Sequence, residues 1–253
     1  MTATDTRPTT RPRRSALDPD VAMRLAATEY QRFLGQLRTL DDGEWALPTD
    51  CPAWDVREMA AHSLGMAEMV TSFRENVRQN RTAQGRGGVF IDALTGLQVE
   101  ERAGMRPSEI VSRYEAVLPS AVRGRRRMLR LLGRLPLPVP QTLNGMQERW
   151  TFGYLFATIL TRDPWMHRVD IARATRRQLD LSAEHDGAIV ADVVAEWEGR
   201  HDSPYALRLT GVAGGTWARG TGGPELELDA VEFCRTISGR GTGTGLLAVE
   251  VPF

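Results

Sequence analysis

One stretch, Trp54-Asp-Val-Arg-Glu-Met-Ala-Ala-His62, predicts the start of an amphipathic helix with a histidine on its inner face. Asp55 is a good N-cap residue, and Glu58 follows at capping-box spacing, so each side chain can satisfy a backbone N–H at the helix start. The residues that then recur at three- and four-residue steps form the stripe of a buried helix face. They are Val56, Met59, Ser63, Met66, Val70 and Phe73. His62 lies on that stripe and is therefore expected to point into a core.

A second stretch, Arg162-Asp-Pro-Trp-Met-His-Arg-Val-Asp170, predicts another helix with polar groups on its inner face. Asp163 and His167 are four residues apart, so the carboxylate and the imidazole stack one helical turn apart. Pro164 cannot donate a helical hydrogen bond and clashes with the preceding turn. We therefore expect a kink, or the start of a new helix, beside these two residues.

His62, Asp163 and His167 together supply two imidazoles and one carboxylate. This set suits Zn²⁺ or another first-row divalent ion, with coordination positions left open for water, substrate or a thiol. The spacing leaves two other interpretations open. A histidine on an apolar face is often a hydrogen-bonded core residue, and Asp163-Pro164 also has the form of an N-cap followed by proline at the first helical position.

The first stretch belongs to a longer signature, Leu47-Pro-Thr-Asp-Cys-Pro-Ala-Trp-Asp-Val-Arg57, with His62 downstream. This signature resembles that of the mycothiol-dependent maleylpyruvate isomerase family, within the larger DinB-like helical-bundle group. In that family a late bundle helix carries Glu-x-x-x-His followed by a Val-Asp pair. The corresponding residues here are Asp163-Pro-Trp-Met-His167 and then Val169-Asp170.

The resemblance implies that His62, Asp163 and His167 are metal ligands. Aspartate in place of glutamate shortens one ligand arm by a methylene, so the helix backbone must lie closer to the ion. Asp170, one turn beyond His167, is a candidate for orienting a ligand from behind, although a solvated aspartate is the competing interpretation.

The resemblance continues to the end of the chain, through Leu207-Arg-Leu-Thr-Gly211, Gly215-Thr-Trp217 and Ser238-Gly-Arg240. It implies an α+β fold, in which a DinB-like four-helix bundle is followed by a small α/β C-terminal domain. It also implies an arginine of the C-terminal domain near the cleft. Arg240 and Arg235 are the candidate catalytic residues, suited to bidentate binding of a substrate carboxylate. A structural or surface role is the alternative for each.

The chain divides into three predicted segments: a disordered tail at residues 1–16, the bundle at 17–180 and the C-terminal domain at 181–253. The tail is rich in Thr, Pro and Arg and has no periodicity. Four bundle helices are expected. The first three begin at Asp18, about Asp55 and about Ser108, and the fourth follows the proline-rich loop at 136–140 and carries Phe152, Phe156 and Ile159. The second is expected to run into the eighties. The less regular sequence from Gly85 to Gly104 is interpreted as a surface connection, with a lid beside a cleft as the alternative.

The C-terminal segment is expected to begin with a helix from Ala183 to Glu198 and to continue into short strands punctuated by glycine. Asp229 can cap another helix, and Leu246-Leu-Ala-Val-Glu250 reads as a closing strand. The run Arg123-Gly-Arg-Arg-Arg127 is interpreted as a solvated helix face, with an anionic ligand as the alternative. His185 and His201 lie outside both stretches and are expected to be exposed.

Composition excludes several classes of function. The 253 residues are 42% hydrophobic, and 32 basic residues balance 32 acidic ones, which argues against a general nucleic-acid surface. All the basic residues are arginine, which is compatible with a GC-rich, actinobacterial source that makes mycothiol. Cys51 and Cys234 form no CxxC motif, which favours a reducing cytoplasm over a disulfide framework. Trp150–Leu160, the most apolar stretch, is too short to span a membrane.

Three functions remain compatible with these residues. The first is a metal-dependent, mycothiol-dependent isomerase or thiol transferase, in which a divalent metal, zinc by its ligand set, holds a low-molecular-weight thiol as thiolate for attack on a small electrophile. The second is a metal-dependent hydrolase without a thiol cofactor. The third is a non-catalytic ligand-binding protein, in which Asp163 only caps a helix. The sequence does not identify the substrate or the oligomeric state.

Overall fold

The structure is a computed structural model that describes residues 11–143 and 146–253. The helices of the first part are α1 (Pro19–Leu37), α2 (Val56–Met69), α3 (Phe73–Arg86), α4 (Phe90–Glu100), α5 (Pro107–Leu132), a single turn α6 (Phe152–Tyr154) and α7 (Leu160–Thr175). α1 packs against α5 and α7, and α2 packs against α4, α5 and α7. The core of this bundle encloses Phe33, Met59, Leu64 and Tyr114, all fully buried.

The capping box predicted for α2 is present. The Asp55 carboxylate accepts a hydrogen bond from Glu58 N at 2.7 Å, and the Glu58 carboxylate accepts one from Asp55 N at 3.0 Å. α1 begins with a simpler cap, in which the Asp18 side chain accepts from Asp20 N and Val21 N, and Pro19 occupies the first turn, where no N–H is needed.

The second helix is shorter than the sequence pattern predicts. α2 ends at Met69, and a new helix, α3, begins at Phe73 with Ser72 as its N-cap. Gly124 of α5 lies against this break, since a Cβ at Gly124 would approach the Val70 carbonyl oxygen to 1.9 Å. Phe73 is therefore 64% exposed and does not belong to the buried stripe.

Helix α4 lies within the sequence that we expected to be an irregular surface connection, so that expectation is wrong. Its Leu94, Leu97 and Gln98 are buried, and it packs against α2 and α3. The glycines before the helix predicted an irregular segment. Burial of Leu94 and Leu97 against neighbouring helices stabilises the helix nevertheless.

The helix that carries Asp163 and His167 continues through Pro164, so the predicted break does not occur at the proline. Instead a π-turn at Leu155–Ile159 precedes α7. Pro164 cannot donate to the Leu160 carbonyl, and that oxygen accepts a hydrogen bond from Arg125 Nη1 at 2.8 Å. The proline is tolerated because a guanidinium replaces its missing N–H.

Arg125 corrects the interpretation of the Arg123–Arg127 run as a solvated face. Its side chain is fully buried, and it also donates to the Phe156 carbonyl and the Thr161 hydroxyl. Arg123, Arg126 and Arg127 are exposed. The run therefore has one structural member that joins α5 to the start of α7.

The C-terminal part is a small α/β unit. It contains α8 (Asp186–His201), the strands β3 (Tyr205–Thr210), β4 (Gly215–Arg219) and β5 (Glu225–Asp229), and α9 (Ala230–Arg235). The sheet has the order β4-β3-β5, with β3 antiparallel to β4 and parallel to β5. Trp165 and Val169 of α7 pack into the core of this unit, so one helix serves both cores. The predicted α+β fold is confirmed.

The end of the chain differs from the prediction. Residues 245–248 form a 3₁₀ turn instead of a closing strand, and α9 leads into a π-turn at Thr236–Arg240. Gly245 adopts a positive φ of 58°, a conformation at odds with the entry to a strand. The π-turn places Arg240 at the junction with the bundle.

Residues 1–10 of the expected N-terminal tail lie outside the described residues. Arg13 makes backbone hydrogen bonds with Arg149 at 2.7 Å and Thr151 at 3.0 Å, next to the antiparallel strands β1 (Gln141–Leu143) and β2 (Met146–Glu148). None of the described helices combines the length and the apolar character needed to cross a membrane.

Candidate metal centre

Three predicted ligands meet where α2 packs against α7. His62 Nε2 lies 3.5 Å from Asp163 Oδ1, and His167 Nε2 lies 3.2 Å from the same oxygen. One donor atom from each residue lies within 4.8 Å of the other two. Both histidines are buried, and Asp163 is partly exposed. The structure therefore brings together the three residues that the sequence predicted as ligands, and their role as ligands stays a prediction.

The orientation of His62 follows from a chain of amide hydrogen bonds. Gln79 Nε2 donates to the Gly65 carbonyl at 3.2 Å, so Gln79 Oε1 is left to accept from Gln98 Nε2 at 2.9 Å. Gln98 Oε1 then lies 2.8 Å from His62 Nδ1 and can only accept. The neutral ring of His62 therefore carries its proton on Nδ1, and its Nε2 faces Asp163.

His167 is oriented by a carboxylate and an arginine. Its Nδ1 lies 3.5 Å from Asp170 Oδ2, and Asp170 accepts two hydrogen bonds of 2.8 Å, from Nε and Nη2 of Arg240. Nε2 of His167 is buried and faces Asp163 Oδ1 at 3.2 Å, without the alignment of a hydrogen bond. An imidazole with a carboxylate behind Nδ1 and an Nε2 that faces other donor atoms is the usual arrangement of a metal-binding histidine.

The charges of His62, Asp163 and His167 favour a cation between these three side chains. Burial disfavours the charged form of Asp163, but the two histidines hold its pKa well below the ordinary range. Burial likewise opposes charge on His167, yet Asp163 and Asp170 raise its pKa to about 9. Two Nε2 atoms and a carboxylate oxygen converge without an N–H between them when both histidines are neutral, and a divalent cation fits that donor set.

Trp54 covers the ligands. Its ring stacks on His62 with a centroid separation of 4.8 Å and meets His167 edge-on at 6.0 Å. Cys51 lies nearby and is half-buried, and burial raises the pKa of its thiol. Cys51 therefore stays a neutral thiol at neutral pH, whereas Trp54 shields the imidazoles from solvent.

The two predicted catalytic arginines have partners within the chain. Arg240 binds Asp170 and so reaches the His167 ligand indirectly. Arg235 is buried and donates to Asp50 at 2.6 Å and to Glu232 at 2.8 Å. The structure brings Arg240 to the candidate centre, and a role for either arginine in substrate binding stays a prediction.

Gln98 is the main residue that sequence reasoning missed. It lies on α4, in the segment interpreted as irregular, and therefore was not associated with His62. The available signal was the spacing of Leu94, Leu97 and Gln98, which places all three on one face of a short helix.

A second group of potential ligands, Glu29, His185 and Asp186, also lies within 4.8 Å. Its carboxylates are already paired, because Arg168 donates to Glu29 at 2.9 Å and to Asp186 at 2.6 Å. Arg32 donates to Asp186 at 2.9 Å as well. These guanidinium groups already neutralise the carboxylates that would bind a cation. The buried cluster is therefore a structural link between α1, α7 and α8.

The two remaining histidines are less exposed than predicted. His185 is 5% exposed and lies 2.7 Å from Glu29 through its Nε2. His201 is half-buried, with its ring edge-on to Trp197 at a centroid separation of 4.3 Å. Their positions follow from the contact between α8 and its neighbours, which the local sequence does not encode.

The fold and the site define an α+β protein with a candidate metal centre inside a helical bundle. Residues 26–172 match the family model described as the mycothiol maleylpyruvate isomerase N-terminal domain. This match spans more than half of the chain, and the chain belongs to that family.

Two solved structures are similar in fold: the mycothiol-dependent maleylpyruvate isomerase and a histidine-to-alanine mutant of it. Each comparison gives a TM-score of 0.51 at 13% identity and covers 89% of this chain and 91% of the other. At this identity the likeness concerns the fold alone. No curated protein sequence matches the chain.

Proposed function

We propose that this chain is a metal-dependent enzyme that uses mycothiol, either to isomerise a small electrophile or to transfer the thiol to it. The observation that carries the proposal is the convergence of His62 Nε2, Asp163 Oδ1 and His167 Nε2 between α2 and α7, within 4.8 Å of one another. Membership of the mycothiol maleylpyruvate isomerase family supports the choice of thiol and of reaction class.

His62, Asp163 and His167 would hold the metal, and zinc suits a set of two imidazoles and one carboxylate. When bound, a divalent metal lowers the pKa of a coordinating thiol and keeps it as the nucleophilic thiolate at neutral pH. The three ligands leave coordination positions free, which a catalytic site requires.

The residues behind the three side chains would direct both imidazoles at the metal. Gln98 accepts the Nδ1 proton of His62, and Asp170 faces Nδ1 of His167, so each Nε2 atom points to the metal position, and His167 would give up its Nε2 proton when the metal binds. Burial disfavours the charged form of Asp170, but His167 and Arg240 lower its pKa overall. Asp170 therefore remains a carboxylate that can accept from His167.

Trp54 and Arg240 line the same region with complementary functions. The Trp54 ring lies over His62 and excludes water from that side of the ligands. Nη1 of Arg240 makes one hydrogen bond among the described residues, a donation to the Ser238 hydroxyl at 3.5 Å. We propose that this nitrogen binds a carboxylate of the substrate, while Nε and Nη2 stay on Asp170.

The test begins with elemental analysis of protein purified without chelators, with His167→Ala alongside. The proposal expects close to one divalent metal per chain in the native protein and almost none in the variant. Turnover of maleylpyruvate and of other small electrophiles is then measured with and without mycothiol. Metal-dependent turnover that needs no thiol would favour a hydrolase, and a melting temperature unaffected by chelators, without bound metal, would favour a non-catalytic protein.

A further inference from the structure

A small cavity lies beside Asp163, between α1, α2, α5 and α7. Its volume is about 10 Å³, which is close to the space that the centre of one water molecule needs. Ser63, Tyr114 and Asp163 supply its polar lining, and the surrounding wall includes Met66 and Leu160. The cavity is therefore of the right size for a single small polar molecule.

Two hydroxyl groups on this lining lack partners. The Ser63 hydroxyl and the Tyr114 hydroxyl are both buried and have no hydrogen bond within the described part of the chain. Ser63 is 3% exposed and Tyr114 is fully buried. Buried hydroxyls without a partner are uncommon because leaving one unsatisfied is costly, so two of them at one cavity point to a missing hydrogen-bonding group.

Asp163 provides the third polar contact. Its Oδ1 lies beside both histidines, which leaves Oδ2 for another partner. A carboxylate oxygen accepts hydrogen bonds and cannot donate, whereas a tyrosine hydroxyl can do both. A water molecule fits a cavity of this size and can accept a hydrogen bond from one side and donate one to the other without adding charge.

We propose that this cavity binds one water molecule that is hydrogen-bonded to Tyr114, Ser63 and the Oδ2 atom of Asp163. Tyr114 donates its O–H to the water, and the water donates to Asp163. Burial raises the pKa of Tyr114 well above its ordinary value, so the phenol keeps the proton that it donates. Ser63 completes the hydrogen bonds of the water from α2.

The bound water makes Tyr114 and Ser63 positioning residues for a metal ligand, a role that rests on the proposed function. With Oδ2 fixed by the water, Oδ1 is held toward His62 and His167 instead of rotating away. The water therefore fixes the orientation of the Asp163 carboxylate, as Gln98 and Asp170 fix the orientations of the two imidazoles.

The proposal is tested with Tyr114→Phe and Ser63→Ala, each of which removes one hydroxyl and little else. Three quantities are measured: the solvent density in a high-resolution crystal structure of metal-free protein, its melting temperature, and zinc affinity by competition with a chelator. Tyr154→Phe is the matched control, because it removes a buried hydroxyl that binds Glu196 at 2.6 Å, outside the cavity.

We expect a water within about 3 Å of the Tyr114 hydroxyl, a melting temperature about 2–4 °C lower in Tyr114→Phe, and a zinc affinity at least tenfold weaker in that variant. Ser63→Ala should change both quantities in the same direction. Tyr154→Phe should lower the melting temperature and leave zinc affinity unchanged.

If the cavity holds no water, the melting temperature of Tyr114→Phe should change in the opposite direction. Tyr114→Phe would then remove an unsatisfied hydroxyl, raise the melting temperature and leave zinc affinity as it was, which would overturn the proposal. If the native protein binds no zinc, the proposed function fails, but the solvent density and the melting temperatures still decide whether the water site exists.

Discussion

Arg240 donates two hydrogen bonds of 2.8 Å to Asp170, one to each carboxylate oxygen, from a π-turn in the C-terminal part to a helix of the bundle. Asp170 is fully buried and lies 3.5 Å from the Nδ1 atom of His167. The C-terminal part is thereby connected to a ligand of the candidate metal centre through a carboxylate. The orientation of His167 depends on residues from both parts of the fold.

Arg240→Ala should destabilise the protein by about 2–4 kcal/mol, because it leaves the Asp170 carboxylate buried without its guanidinium. It should also weaken metal affinity, since Asp170 no longer has a fixed position behind His167. Urea denaturation and metal titration measure the two effects. Arg208→Ala is the control, because its ion pair with Glu227 is exposed on both sides. Equal losses of stability and metal affinity in the two variants would contradict a positioning role of Arg240 behind His167.

Asp163→Asn should abolish metal binding with little change in shape. The amide keeps the size of the side chain but removes the negative charge that balances a divalent ion between two neutral imidazoles. Metal content should fall from near one per chain to less than about a tenth of that value. Asp42→Asn, at an exposed turn, should keep full metal content. A metal content unaffected by Asp163→Asn would remove the aspartate from the ligand set.

Metal affinity should rise with pH. In the metal-free protein Asp163 and Asp170 raise the pKa of His167 to about 9, above the ordinary value of 6.5, so the metal must displace a proton at neutral pH. The apparent affinity should increase about tenfold per pH unit up to about pH 9 and then level off. Calorimetry in buffers of different ionisation enthalpy should show about one proton released per metal at pH 7.5. A pH-independent affinity would contradict this charge balance.

The stability of the metal-free protein should change with pH in the opposite sense. A folded-state pKa of His167 above its unfolded value contributes stability that is fully present below about pH 6.5 and is lost as the pH rises through about 9. The melting temperature of metal-free protein should therefore decrease over this interval, and His167→Gln should remove most of that decrease. Thermal scans at fixed ionic strength provide the measurement.

Arg125 and Pro164 should show a strong coupling in stability. Arg125→Ala leaves the Leu160 carbonyl without a donor, whereas Pro164→Ala restores the N–H that can reach that oxygen. The cost of Arg125→Ala should therefore be smaller by about 1 kcal/mol in the Pro164→Ala background, as a double-mutant cycle measures. Additive effects would show that the guanidinium does not compensate for the proline.

Glu29→Gln should reduce stability without affecting metal content. Glu29 is fully buried between Arg168 and His185, and the amide cannot replace the charge that balances the guanidinium. A loss of about 3 kcal/mol is expected in denaturant unfolding. Retention of one metal per chain would establish that the second cluster is structural, and loss of metal would show that it contributes a binding site.

The general fold and the helix faces that carry His62, Asp163 and His167 were predictable because they depend on local spacing. The capping box at Asp55 and the four-residue separation of Asp163 and His167 fix which helix faces carry the ligands. A resemblance to the family then linked two stretches that lie a hundred residues apart, a relation that helical periodicity alone cannot provide.

The residues that hold the ligands in place depend on tertiary contacts. Gln98 reaches His62 because α4 forms despite the preceding glycines and packs against α2. Arg125 is buried because its guanidinium donates to two backbone carbonyls, that of Phe156 in the π-turn and that of Leu160, which Pro164 leaves without a helical donor. The glycines before α4 predicted an irregular segment, and the run of arginines around Arg125 predicted a solvated face. Packing of α4 against α2 and the hydrogen bonds of buried Arg125 outweigh these local preferences.

The most direct test of a thiolate-binding metal centre uses cobalt-substituted protein and mycothiol. Cobalt reports its ligands through visible absorption, and a coordinating thiolate adds a charge-transfer band. Native protein should bind one cobalt per chain and gain that band when mycothiol is added, whereas His167→Ala should show neither. Cobalt binding without a spectral response to mycothiol would contradict thiol activation, and a chain that binds no cobalt would contradict the metal centre itself.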